Sequence, residues 1–162
     1  MRIGYGYDAH NFIAGRPLII GGVTIPYEKG LAGHSDADVL VHAICDAVLG
    51  ALALGDIGAH FPDHNPRYKN ISSLLLLQET YEMIRERGYV IINIDSTIVA
   101  QAPAMSPYSS QMRARIAKVL NIDTEQISVK ATSTEGLGFE GRKEGIGATA
   151  VVLLENENPA AF

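Results

Sequence analysis

The sequence has a single cysteine, no cluster of lysine or arginine and no long apolar run, and each shortage removes a class of protein. Cys45 stands among Ala43, Ile44, Ala47 and Val48, so an intrachain disulfide and a multi-cysteine zinc site are both excluded, and a buried structural thiol is expected. The formal net charge of -5 offers no electrostatic footprint for nucleic acid or an anionic membrane surface, so any phosphate binding must be local. No stretch approaches the roughly 18 apolar residues of a membrane helix. The first eight residues, MRIGYGYD, lack the apolar core of a secretory signal, which makes the cytoplasm the expected compartment, or a plastid-type organelle where a transit peptide has been removed. Repeats, low-complexity tracts and linker-like segments are also missing. Residues 1–162 are therefore expected to form one domain.

What is present reads as a mixed α/β (α+β) chain. Arg2 to His10 has strand character, and Leu18-Ile19-Ile20 and Val23-Thr24-Ile25 around Gly21-Gly22 suggest a hairpin. Ser35 and Asp38 have capping-box spacing, and Leu40, Ile44, Val48 and Leu52 recur every four residues, which predicts a helix from about Asp36 to Leu54. A second helix is expected from the Ser72-Ser73 cap to Gly88, with Leu74, Leu77, Tyr81 and Ile84 inward. A third follows Ser106-Pro107, with Met112, Ile116, Val119 and Leu120 as its stripe. Val90 to Ala100, Ile127 to Thr132 and Ile146 to Leu154 are the remaining strands. Helices on one face of a mixed sheet leave the other face to be covered, for instance by a homo-oligomer. The glycine-rich segment from Thr134 to Gly145 is expected to be an irregular loop.

Asp8 and His10, two apart on a strand, project from one face, and His42 lies in the first turns of the first helix. Two imidazoles and a carboxylate suit zinc and leave a fourth position open, as catalytic sites do. Asp46, four residues beyond His42, is placed to accept the imidazole N–H that does not ligate. A solvated carboxylate and a merely hydrogen-bonded histidine are the plain alternatives. Gly33-His34-Ser35-Asp36 brings polar groups to a helix N-terminus that favours an anion, although Ser35 as a simple cap would explain the same residues. Gly55-Asp56-Ile57-Gly58 and Phe61-Pro62-Asp63 form an acidic connection suited to polyol hydroxyls or to Asx turns. Glu135, beside Thr132, Ser133 and Thr134, suits magnesium shared with a substrate diphosphate.

Taken in order, Gly6-Tyr7-Asp8-Ala9-His10, Ile20-Gly21-Gly22-Val23, His34-Ser35-Asp36-Ala37-Asp38, Leu54-Gly55-Asp56-Ile57-Gly58, Phe61-Pro62-Asp63, Ala100-Gln101-Ala102-Pro103, Lys130-Ala131-Thr132 and the run from Gly138 to Ile146 resemble the 2-C-methyl-D-erythritol 2,4-cyclodiphosphate synthase family from Arg2 to about Leu154. The resemblance implies a homotrimer that packs its sheets around a central axis, with active sites between subunits. The implied reaction converts 4-diphosphocytidyl-2-C-methyl-D-erythritol 2-phosphate to the cyclodiphosphate and CMP, in non-mevalonate isoprenoid biosynthesis. Zinc, one per chain, is implied on Asp8, His10 and His42. Mg2+ or Mn2+ is implied on Glu135 with the substrate diphosphate. His34, Ser35, Asp56, Gly58, Phe61 and Asp63 would hold the methylerythritol phosphate portion, and Ala100, Pro103, Met105, Ser106, Ala131, Thr132 and Ser133 the cytidine portion. Tyr7, Phe139, Arg142 and Glu144 would line a central cavity able to take an isoprenoid diphosphate. The chain departs from the family pattern at Ala104 and Gly136, where lysine is common, at Tyr5 and Tyr7, which replace histidine and phenylalanine, and at His64 and Asn65, which replace threonine and aspartate. A zinc hydrolase and a non-catalytic module that binds isoprenoid phosphates are the competing readings.

Overall fold

The computed structural model describes residues 1–157; residues 158–162, the end of the expected domain, lie outside the described residues. Strand β1 (Arg2–Ile13) pairs antiparallel with β7 (Gly145–Asn156), in register from Arg2 opposite Leu154 to Asn11 opposite Gly145. On its far side β7 pairs antiparallel with β5 (Tyr89–Val99), and β5 runs parallel to β6 (Ile127–Thr132). The short β4 (Gly30–Leu31) completes a mixed sheet of order β4-β1-β7-β5-β6. Strands β2 (Leu18–Ile20) and β3 (Val23–Ile25) form the expected hairpin as a separate ribbon, turning at Gly21 and Gly22, both at positive φ.

Helix α1 (Val39–Ala51) lies on the sheet, and two glycines let it come close. A Cβ on Gly4 would fall 1.8 Å from the Ala47 carbonyl oxygen, and one on Gly6 would fall 2.0 Å from that of Ala43. Strand periodicity keeps Asp8 and His10 on this same face, one and two steps beyond the glycines and level with the N-terminal turn of α1. The glycines therefore set the distance at which His42 meets the strand pair.

The helix starts later than its apolar repeat predicts. Ala37 sits at φ 59°, so the cap is Asp38, not Ser35, and the expected Ser35/Asp38 box does not form. The Asp38 carboxylate accepts from Val41 N at 3.1 Å, Gly21 N at 2.8 Å and Gly22 N at 2.6 Å, which ties the hairpin turn to the helix. Burial and the nearby Asp36 push its pKa up to about 6, against the pull of these three N–H groups. Asp38→Ala strands three donors around a fully buried position, and is expected to lower unfolding free energy by about 2–4 kcal/mol in urea titrations. Apart from Asp46 and Gly50 every residue of α1 is buried, because α3 (Ser73–Arg85) and the sheet cover opposite sides of it.

Helix α3 has Ser72 at its N-cap position without a side-chain bond. Ser106 does not cap either: Ser106–Tyr108 is a 3-10 turn that leads into α4 (Ser109–Leu120), whose Met112, Ile116 and Leu120 are buried. A short α2 (Ile57–His60) follows the Asp56 cap, and the glycine-rich segment, expected to be irregular throughout, contains a helical turn, α5 (Gly138–Gly141). The core fills the side of the sheet that carries Ile94, Ile98, Ile146, Ala148, Ala150, Val152 and Leu154. The opposite side is open, with Ile3 71%, Tyr5 64%, Tyr7 50% and Val151 37% exposed. No helix among the described residues is long and apolar enough to cross a membrane.

Candidate metal centre and its cleft

Asp8, His10 and His42 converge as the sequence predicts, and no other group of three or more metal-ligating side chains comes together among the described residues. Asp8 Oδ2 lies 2.8 Å from His10 Nε2 and 3.0 Å from His42 Nδ1, and the two ring nitrogens are 3.1 Å apart. Tetrahedral zinc with bonds of about 2.0–2.1 Å asks for edges of about 3.3 Å, so the triangle is close to the size the ion needs.

The outer hydrogen bonds decide which lone pairs face inward. His10 Nδ1 donates to the Ala32 carbonyl at 2.7 Å, which leaves Nε2 bare. On the other ring, His42 Nε2 faces Ser73 Oγ at 2.9 Å and Ser35 Oγ at 3.1 Å. The Ser73 hydroxyl donates to Asp36 in a short hydrogen bond, so it accepts from His42 and leaves His42 Nδ1 bare. Three lone-pair-bearing atoms about 3 Å apart repel one another unless a cation, or a proton on a ring nitrogen, lies between them. The donor set thus fits a divalent metal. In the absence of an ion a proton can take its place between ring and carboxylate: burial pushes the Asp8 carboxyl up, but hydrogen bonds from His10 and His42 outweigh it and hold the group well below the usual carboxylate range. For His10, burial is opposed by Asp8, and the net effect raises its pKa.

Asp46 does not take the expected part. Its Oδ1 accepts from Ile57 N at 2.7 Å and so anchors the start of α2, while Ser73 and Asp36 fix His42. The i,i+4 spacing puts Asp46 on the same helix face as His42, but spacing alone does not make the contact. Ser73 comes from another helix 31 residues away, so only tertiary structure brings it to His42.

The triad opens into a cleft of about 220 Å3 lined by Asp8, His10, Gly33, His34, Ser35, His42, Ile57, Gly58, Phe61, Asp63, Tyr68 and Leu76. His34, Ser35, Gly58, Phe61 and Asp63 thus share one cleft with the triad. Asp56 is not in the lining; it caps α2 by accepting from Ala59 N at 2.9 Å. Tyr68 and Leu76 were not foreseen, and with Phe61, whose ring meets that of Tyr68 edge-on at 5.4 Å, they make one apolar wall.

The residues expected around cytidine gather elsewhere, at the ends of the parallel pair β5 and β6. Val99 is opposite Thr132, Ala100 N donates to Thr132 O at 3.0 Å, and Ala131, Ser133, Pro103 and Ser106 belong to the same chain ends, whereas Met105 is buried in the core. Glu135 Oε1 accepts from Ser133 Oγ at 3.0 Å. None of these lines the cleft of its own chain. On the open face a Cβ on Gly147 would lie 3.8 Å from both Phe139 Cζ and Tyr7 Cε2, so those rings flank Gly147. Arg142 forms a two-point pair with Glu144, at 2.8 and 3.0 Å.

The YgbB family profile matches residues 1–155. A protein named 2-C-methyl-D-erythritol 2,4-cyclodiphosphate synthase from Desulfatibacillum aliphaticivorans is 60% identical over 155 residues, covering 96% of this chain and 100% of the relative. Among solved structures, the bifunctional IspDF from Campylobacter jejuni is similar with a TM-score of 0.92 and 45% identity over 96% of this chain, which spans 42% of that longer chain. The IspF of Plasmodium falciparum in a CDP complex gives 0.85 and 38%, with 97% of each chain covered.

Proposed function

The chain belongs to the YgbB family, and from that premise we propose that it converts 4-diphosphocytidyl-2-C-methyl-D-erythritol 2-phosphate to 2-C-methyl-D-erythritol 2,4-cyclodiphosphate and CMP, in non-mevalonate isoprenoid biosynthesis. The observation that carries this reading is the triad of Asp8, His10 and His42, with both ring tautomers set by outside partners, in a cleft of about 220 Å3 that has polar groups on one side and an apolar wall on the other. Zinc is the ion these ligands suit, and when bound it supplies a Lewis acid for phosphoryl oxygens. His34, Ser35, Gly58 and Asp63 hold the methylerythritol phosphate against the triad, and Phe61, Tyr68 and Leu76 keep water from that side.

An oxygen of the substrate's 2-phosphate attacks the β-phosphorus, the bond from that phosphorus to the oxygen of CMP breaks, and its electron pair leaves with CMP. Both partners belong to one molecule, and well-oriented intramolecular reactions reach effective molarities of about 10⁵ M or more, so orientation does most of the work. The phosphate is already ionised, which matches the lack of a base-activated serine or cysteine in the cleft. Glu135 is the carboxylate offered to Mg2+ or Mn2+ shared with the diphosphate.

The cytidine-side residues lie away from the cleft of their own chain, so they serve the cleft of a neighbouring copy, and the open sheet face is where copies meet as a homotrimer. Tyr7, Phe139 and Arg142 would then face a central cavity, where an isoprenoid diphosphate must share the Arg142 fork with Glu144. Turnover in ¹⁸O-labelled water tests the reaction itself. Cyclisation leaves CMP and the cyclic product unlabelled, and label entering CMP or a linear phosphate at the rate of turnover would mean that water is the nucleophile.

A further inference from the structure

Segment 32–36 supports both histidines of the triad. Ala32 supplies the carbonyl that orients His10, Ser35 places its hydroxyl against His42, and His34 and Ser35 line the cleft. Four successive carbonyls of this segment are occupied. His10 takes Ala32 O, Asn70 N donates to His34 O at 2.8 Å, and one side chain takes the two others: Arg16 Nη1 donates to Gly33 O at 2.6 Å and Nη2 to Ser35 O at 2.5 Å. Arg16 belongs to the turn between β1 and β2, and does not line the cleft. It borders a separate hollow with Pro17, Ile19, Asp36 and Asn70, on another side of the same segment. The turn is held close, since a Cβ on Gly30 would fall 2.6 Å from the Arg16 carbonyl oxygen.

We propose that Arg16 is a positioning residue for the metal and substrate site, a role that rests on the metal-dependent reading above. Its planar fork spans two carbonyls two residues apart, a match that the single ammonium of lysine cannot reproduce. By fixing Gly33 O and Ser35 O it sets the path of the backbone between Ala32 and Asp36. That path in turn sets the orientation of the His10 ring through Ala32 O and of the His42 ring through Ser35 Oγ. Arg16 acts on both ligands from outside, without touching the substrate.

The test compares wild type, Arg16→Ala and Arg16→Lys by zinc affinity in chelator competition, by KM and kcat, and by thermal midpoint. Changes in the partners that orient metal ligands cost about 10–100-fold in affinity or activity, and Arg16 acts one bond further out, so zinc affinity in Arg16→Ala is expected to fall about tenfold. KM should rise as kcat falls, lysine should restore only part, and millimolar guanidinium should partly restore the alanine variant. A lowered thermal midpoint with unchanged zinc affinity, KM and kcat would overturn the proposal and leave Arg16 a structural tie. If the alanine variant does not fold, Arg16→Lys decides: wild-type zinc affinity and KM overturn the proposal, and weakened values support it. A zinc-loaded wild type beside an unaffected variant defeats this inference alone, whereas a wild type that binds no zinc defeats the metal reading beneath it.

Discussion

His42→Ala is expected to remove bound zinc and turnover together while the fold survives. The remaining ligands, Asp8 and His10, sit on one strand and grip an ion from one side only. Loss of a partner that merely orients a ligand already costs about 10–100-fold in affinity, so loss of a ligand should exceed that range. The vacated position is also the one that the protein has organised most heavily. Ser73 and Ser35 face the far nitrogen of His42, and Asp36 holds Ser73 through its hydroxyl and its backbone N–H, so these three side chains are engaged and do not offer a replacement ligand. Metal analysis of the purified variant should show well under one zinc per chain, with wild-type helix content by circular dichroism. Full zinc occupancy in that variant would remove His42 from the ligand set.

The convergence of Asp8, His10 and His42 was legible from sequence because it rests on short-range geometry. Asp8 and His10 share a face by strand periodicity alone, and His42 needs only the first helix to pack on the first strand. The closeness of that packing was not legible. Gly4 and Gly6 look like ordinary strand-weakening glycines until the carbonyls of Ala47 and Ala43 are found where their side chains would be. The cap of α1 was misplaced because Ser35 and Asp38 both offer oxygens, and only the left-handed Ala37 and the hairpin N–H groups decide between them. Asp46 had the right spacing and Ser73 the right position; spacing along a helix is written in the sequence, and contact between helices is not. Asp56 shows the same limit, since an Asx cap and a polyol contact use the same residue type.

The cytidine-side residues came from the resemblance rather than from any local pattern. Ala100, Pro103 and Ala131 carry no side-chain chemistry of their own, and what they offer a ligand is backbone and shape. Under the proposed function a second copy would complete the cleft, and the uncovered sheet face would be where the copies meet.

That dependence leads to the second large effect: Tyr5→Glu is expected to leave a folded, zinc-binding chain that is mostly monomeric and nearly inactive. Tyr5 stands between Ile3 and Tyr7 on β1, opposite Val151 of β7, at the centre of the apolar half of the open face. The other half is polar, with Lys130 and Asp95 paired at 2.7 Å across β6 and β5. A patch of this kind on a sheet is expected to be covered by a partner. In a threefold assembly one substitution places three carboxylates near the axis, and burying each without a partner costs several kcal/mol, which is comparable to the margin that holds many assemblies together. In the monomer Tyr5 is exposed and faces away from α1, so its replacement leaves the core and the triad untouched. Native mass spectrometry should therefore show monomer where the wild type shows trimer, with about one zinc per chain retained and turnover lowered at least about 100-fold, as expected when substrate-positioning groups are lost. A trimeric, active Tyr5→Glu would show that this face is not where the copies meet. A monomeric but fully active variant would show that each chain completes its own site, and the cytidine-side residues would then need another role.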